Sequence, residues 1–135
     1  MTRTRHTEGF TLIELLIVII IIGILSAIAI PMLLNQRNKA RNTAVKAGIH
    51  DIELGLASYG VDHIDRYPAA VADGTALVDA GGADYVTPWP ENPWTGAGMV
   101  HAGGAGDYTY TQTGGGTTFT LAGHLSDGDF VVPEP

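Results

Sequence analysis

Glu14 is a carboxylate placed where water is scarce. It stands near the start of an apolar tract from Phe10 to Leu34, and the 20 residues Leu15 to Leu34 carry no charge. That matches the ~20 residues a membrane-crossing helix needs. An ionised group at the centre of such a helix costs roughly 2.5–3.5 kcal/mol on insertion scales, and a group so placed usually has a partner. No lysine or arginine nearby supplies one, the closest upstream being Arg5. Cutting the chain between Gly9 and Phe10 creates an α-amine, a cation at the correct end of the tract. The chemistry on offer is hydrolysis of the Gly9–Phe10 peptide bond, then pairing of Glu14 with a terminal amine. The competing reading is a tolerated edge residue that reaches the headgroups by snorkelling.

Other reactive side chains point less clearly to a site. Asp127-Gly128-Asp129 offers two carboxylates and backbone carbonyls, the beginning of a Ca²⁺ loop. The same residues are ordinary turn formers, and a β-turn is the favoured reading. His6, His50, His63, His101 and His124 lack a metal-binding spacing and read as surface residues. Trp89 and Trp94 read as cover for one end of a core rather than a sugar- or surface-binding patch. Gly103-Gly104 and Gly106 lack the strand-to-helix context and Lys-Ser/Thr of a phosphate loop. No local Ser, His and acid trio suggests nucleophilic catalysis, so the chain reads as no enzyme.

The elements that position Glu14 follow from hydropathy. Residues 10–34 predict a helix in lipid. Gly23 and Ser26 are small enough for close helix approach. Pro31 removes one backbone donor and is expected to loosen the helix just before it. Over residues 35–60, Val45, Ile49, Ile52, Leu56 and Tyr59 recur at spacings of four, three, four and three, one apolar stripe on a helix. His50 and Glu53 fall mostly off it. Gly60 and Tyr67-Pro68 mark its end. Residues 67–106 are rich in Gly, Pro and Ala, and the prolines of 88–94 exclude a regular helix or central strand there. Residues 107–132 predict an antiparallel meander. Tyr108, Tyr110 and Gln112 alternate with Thr109, Thr111 and Thr113, Gly114-Gly115-Gly116 turns, Thr118 to Leu121 returns, and Phe130 to Val132 is a short third strand.

Composition sets limits on this plan. The 135 residues leave about a hundred for a head beyond the apolar helix, enough for one small core. With no cysteine, no disulfide closes a loop, and packing or a bound ion must hold the C-terminal loop. Arg37, Lys39, Arg41 and Lys46 follow the apolar tract, and beyond Arg66 come eight acids and no lysine or arginine. Loss of residues 1–9 would remove two bases and one acid, making the formal charge of −7 one unit more negative. An acidic head argues against electrostatic binding of nucleic acid. Charge on the two sides of the span does not set its orientation, because more bases follow it than precede it.

Residues 9–16, Gly-Phe-Thr-Leu-Ile-Glu-Leu-Leu, resemble the processing site of type IV prepilins and type II secretion pseudopilins. The resemblance is close over residues 8–36, general to about residue 60, and looser in the head. There, Pro88-Trp89-Pro90-Glu91-Asn92-Pro93-Trp94 is similar to the Pro-Asx-Pro-Trp loop of many major pilins and pseudopilins. It implies an α+β pilin fold, a long N-terminal helix packed on a small three- to four-stranded antiparallel sheet. Residues 1–9 are then the leader, 10–34 the membrane and filament-core helix, 35–60 the amphipathic helix and 61–135 the head. The implied roles are cleavage after Gly9 by a prepilin peptidase, N-methylation of Phe10, and pairing of Glu14 with the terminal amine of a neighbouring subunit. Gly23 and Pro31 match helix-loosening positions.

The implied partners are other copies in a helical filament, the peptidase, membrane lipid, and pilus or secretion machinery. The implied location is the plasma membrane with the N-terminus cytoplasmic, then a surface or periplasmic filament. Some relatives hold calcium in the C-terminal loop, which keeps Asp127 and Asp129 as weak candidates. Pilus subunit and secretion pseudopilin share all these residues. A third reading is a secreted or membrane-tethered binding domain that never polymerises, which if secreted starts at Ile30 after signal-peptidase cleavage at Ala27-Ile28-Ala29. The length of the tract and Glu14 within it count against that reading.

Overall fold

The computed structural model describes residues 9–77 and 84–132. The expected leader residues 1–8, with His6, and also Asp79 and residues 133–135 lie outside them. The chain divides into a unit ending at Arg37 and a unit beginning at Asn38. Helix α1 runs from Leu12 to Asp62 and contributes to both.

In the first unit α1 passes without interruption through Gly23 and Pro31. Proline there removes the bond to the carbonyl of Ala27, one rung of the ladder, and the helix continues on either side. In the second unit α1 supplies the core stripe foreseen from its spacing. Val45, Ile49, Ile52 and Leu56 are fully buried, and Tyr59 packs at the margin. Each such aliphatic side chain contributes roughly 1.5–3 kcal/mol by leaving water.

The helix does not stop at Gly60. It continues to Asp62 and closes with a bond from Asp65 N–H to the Gly60 carbonyl at 2.9 Å. That six-to-one bond is a Schellman closure. The left-handed position in it is occupied by Ile64, φ 58°, rather than glycine. Gly60 serves a different purpose. A Cβ there would meet the Tyr67 ring at 3.0 Å, so its absence lets that ring lie against the helix.

Against this face lies a three-stranded antiparallel sheet in the order β1-β2-β3, formed by β1 (Tyr108–Thr113), β2 (Thr118–His124) and β3 (Asp129–Val132). Tyr110 faces Leu121 across the first ladder, and Gly123 faces Phe130 across the second. The period-two pattern buries Tyr108 and Tyr110 on β1, and Phe119, Leu121 and Gly123 on β2. β2 runs three residues beyond the expected Leu121, because Gly123 lets the sheet approach the helix. A Cβ there would lie 2.5 Å from Ile49 Cγ1 and 3.2 Å from Val45 Cγ1. The loop-rich middle packs over the remaining edge of the core with Val71, Leu77 and Met99 buried, and holds a short 3₁₀ turn at Gly74–Leu77.

The tyrosines tie that middle segment to the sheet. Tyr108 Oη donates to the Val71 carbonyl at 3.0 Å and Tyr110 Oη to the Pro68 carbonyl at 2.7 Å. Burial, reinforced by neighbouring Tyr59 and Tyr67, pushes the Tyr110 hydroxyl up to about 12. Burial pushes Tyr108 higher still, with Asp73 and Asp107 adding to the effect. An unfolded tyrosine titrates near 10, so the folded head holds these protons more tightly than the unfolded chain does. Their contribution to stability is complete below about pH 10 and is lost as pH rises toward about 12 and beyond. Denaturant unfolding followed across that window should show a falling midpoint. Tyr110→Phe is expected to flatten part of the fall, and an unchanged slope in that variant would contradict the assignment.

Candidate functional site: the N-terminal segment

Helix α1 begins just after Thr11, and Thr11 with Glu14 forms its cap. The Thr11 hydroxyl accepts from Glu14 N–H at 3.3 Å, while Glu14 Oε2 accepts from Thr11 N–H at 2.8 Å and from the Thr11 hydroxyl at 2.7 Å. This is a reciprocal capping box, Thr-x-x-Glu, which satisfies donors that the first helical turn leaves open. The sequence reading sought a basic partner for Glu14, and the structure adds a neutral one, Thr11. Thr11 holds one carboxylate oxygen by hydrogen bonds, without a compensating charge. The signal was present in the spacing of Thr11 and Glu14 but is easily hidden by the surrounding apolar run. Both bonds end on Oε2, and Oε1 has no hydrogen-bond partner among the described residues.

Around this cap the apolar surface is uncovered. Phe10, Leu12, Ile13, Leu15 and the isoleucines beyond are exposed. α1 contains a stretch long and apolar enough to cross a membrane, with mean hydropathy 3.1 and none of it buried by the rest of the described chain. Gly9 is exposed, and a side chain there would meet nothing within 4 Å. Gly23 is equally open, so neither glycine is required by packing among the described residues. Gly9, Phe10 and Glu14 therefore lie together at the start of the helix, while Gly23 and Pro31 lie further along it.

The other candidate residues belong to the second unit. Asp127 accepts from Asn42 Nδ2 at 2.7 Å, and Asp129 meets His124 Nδ1 at 2.8 Å. The two carboxylates thus have separate partners, and no group of three or more His, Cys, Asp or Glu that could hold a metal exists among the described residues. Asn42 also accepts from Ser126 N–H and from the Ser126 hydroxyl, each at 3.1 Å. This nearly buried asparagine on α1 fastens the C-terminal turn that no disulfide can hold. Sequence reasoning missed it, since an asparagine beside Arg41 and Thr43 looks like ordinary helix surface.

Of the histidines, His50 is exposed and bonded to Glu53 at 2.9 Å, as its place off the stripe implied. His101 is exposed, and His63 stacks on Tyr59 with ring centroids 3.8 Å apart. His124 departs from the surface expectation, because its side chain is only 15% exposed beneath the β2–β3 turn. Trp89 packs on the core and donates to the Met99 carbonyl at 2.8 Å, and Trp94 lies under Arg41 at 5.5 Å. Both serve as cover for the head.

Comparison with known proteins rests mainly on the N-terminal segment. The family model described as "Prokaryotic N-terminal methylation motif" matches residues 4–30. The chain carries a prepilin-type methylation motif. That stretch encloses Gly9, Phe10, Thr11 and Glu14, the residues of the candidate cleavage bond and of the helix cap. Among curated proteins, the chain is 36% identical over 74 residues to the type II secretion system core protein G of Pseudomonas aeruginosa, covering 55% of this chain and 51% of that protein. It is 49% identical over 59 residues to the type IV wide pilus major component PilA4 of Thermus thermophilus, covering 44% and 45%. A core protein G from Escherichia coli is 34% identical over 80 residues, covering 59% and 54%. The matched stretch spans about half the length of these relatives. No solved structure is a significant match.

Proposed function

We propose that this chain is a structural subunit of a type IV pilus-like filament, stored in the membrane and polymerised through its N-terminal helix. The observation that carries the proposal is the methylation motif over residues 4–30, set on a helix whose apolar surface nothing else in the chain covers. In this reading a prepilin peptidase cuts after Gly9 and methylates Phe10. The precursor lies in the plasma membrane with its N-terminus cytoplasmic, and subunits leave the bilayer for a helical bundle of residues 10–34. There the loosening at Gly23 and Pro31 lets neighbours pack. The role is mechanical rather than catalytic, and the acidic head offers no direct nucleic-acid site.

The free Oε1 of Glu14 gives the pairing a physical basis. Its other oxygen is held by Thr11, so the carboxylate can keep its helix cap and still accept the terminal amine of another copy. Neither charge is stable alone in hydrocarbon, and the pair enforces register while apolar burial supplies the cohesion. The deciding experiment is the intact mass of the membrane-extracted protein. A chain starting at methylated Phe10 is expected, and a start at Met1 or Ile30 would overturn the reading. Gly9→Phe is expected to block cleavage almost completely, because a bulky side chain would stand directly beside the bond to be cut. Normal processing of that variant would remove Gly9 from the site.

The second reading is the pseudopilin of a type II secretion system, favoured by the similarity to several proteins named core protein G. Surface filaments seen by electron microscopy support the pilus. Their absence, together with a neighbouring secretin gene set, supports the pseudopilin.

A further inference from the structure

The head holds a groove of about 450 Å³ between α1 and the segment 85–91, bordered by Asp51, Leu54, Tyr85, Pro88, Trp89 and Glu91. Neither the Asp51 nor the Glu91 carboxylate has a hydrogen-bond or ion-pair partner among the described residues, and both are exposed. Leu54 adds an exposed apolar edge. Two unneutralised acids beside aromatic and proline faces are the environment that a guanidinium fills best, since it pairs with carboxylates and stacks on rings at once.

The described residues of the same chain include two cations without a partner. Among the described lysines and arginines, Arg41 lies over Trp94 at 5.5 Å, Lys46 over Phe130 at 5.4 Å, and Arg66 donates to the Gly115 carbonyl at 3.5 Å. The side chains of Arg37 and Lys39 are exposed, and neither has a hydrogen-bond, ion-pair or ring partner among the described residues. We infer that the groove at Asp51 and Glu91 is the docking site for Arg37 of a second copy of this chain. The inference rests on the filament reading above and adds to it a contact between heads, distinct from the Glu14 pairing. Arg37 is favoured over Lys39 by its chemistry. Lys39 lies on another face of the helix, about 160° round from Arg37, and its ammonium lacks the planar fork that pairs with a carboxylate through two bonds.

The test uses the full-length chain in cells that process it. Arg37→Glu is expected to lower filament yield about tenfold, because repulsion replaces an interfacial pair. Asp51→Arg with Glu91→Arg should do the same, and combining these with Arg37→Glu should restore most of the yield. Lys39→Glu should have a much smaller effect. The chain has no natural cysteine, so Arg37→Cys with Glu91→Cys can be joined by a bis-maleimide that spans about the length of the two lost side chains, a direct disulfide being too short, and a ladder of linked multimers in sheared filaments is expected. Filaments that start at methylated Phe10 but yield no ladder and no charge-swap rescue would overturn this contact and leave the filament reading standing. Loss of membrane retention in Arg37→Glu, unmoved by the groove reversals, would assign Arg37 to lipid headgroups instead and equally overturn it. A parent protein that never polymerises would remove both.

Discussion

Glu14→Ala is expected to leave the precursor inserted and cleaved, with methylated Phe10, yet to reduce filament yield by at least a hundredfold. Removing one member of a buried ion pair costs about 3–5 kcal/mol, because the amine stays behind without its counter-charge. The structure adds a second loss. Alanine also removes the two bonds by which Glu14 Oε2 holds Thr11 at the helix start, and a lost cap costs about 0.5–2 kcal/mol. Glu14→Gln separates the two. Glutamine can complete the capping box but carries no charge, so this variant should keep the helix start and still fail to assemble. Quantitative filament shearing with mass analysis of the membrane fraction reads both outcomes. Parental yield from Glu14→Gln would show that capping, rather than pairing, is what the carboxylate supplies.

Asn92→Ala is expected to be the most damaging single change in the head. Asn92 is 2% exposed, and its side chain closes the Pro-Trp segment in three directions. Nδ2 donates to the Ala105 carbonyl at 3.1 Å and to Asp107 Oδ1 at 3.0 Å, while Oδ1 accepts from Trp94 N–H at 2.8 Å. Alanine takes this partner from the Ala105 carbonyl and from Trp94 N–H, while Asp107 Oδ1 keeps only Val100 N–H at 3.3 Å. Each such loss costs about 1–3 kcal/mol, so a total near 3 kcal/mol is expected even if water relieves part of it. For a head of this size, that corresponds to a fall in Tm of more than about 10 °C. Thermal unfolding of the detergent-extracted protein measures it. A shift below about 2 °C would show that the segment is held by its prolines and tryptophans alone. Processing at Gly9 should be unaffected, because that bond lies in the other unit of the chain.

These two residues mark the two kinds of information in the molecule. Glu14 was legible as a candidate because its setting is local: an acid against an uninterrupted apolar run, beside Gly9 and Phe10. The helical stripe at Val45, Ile49, Ile52 and Leu56 and the alternation through Tyr108 to Thr113 were legible for the same reason. Periodicity is a property of neighbours in the chain, and burial follows it directly. Asn92 was legible only as part of a run unsuited to regular structure, and nothing in Pro90-Glu91-Asn92-Pro93 shows which polar side chain turns inward.

The sequence by itself determined the apolar membrane-length helix, the candidate cleavage bond with its acid four residues on, the amphipathic stripe and the three-strand meander. Each is written in spacing, composition or charge over a few consecutive residues. The tertiary structure alone decided that Asn42 fastens a turn 85 positions away, that Gly60 admits a tyrosine ring while Ile64 takes the left-handed corner, and that Asp127 and Asp129 have separate partners. It also decided that Asp51 and Glu91, far apart in sequence, border one groove. Those outcomes depend on which surfaces meet once the stripe and the sheet are buried together. Hydrogen bonds and close approaches across such a contact leave no periodic trace along the chain.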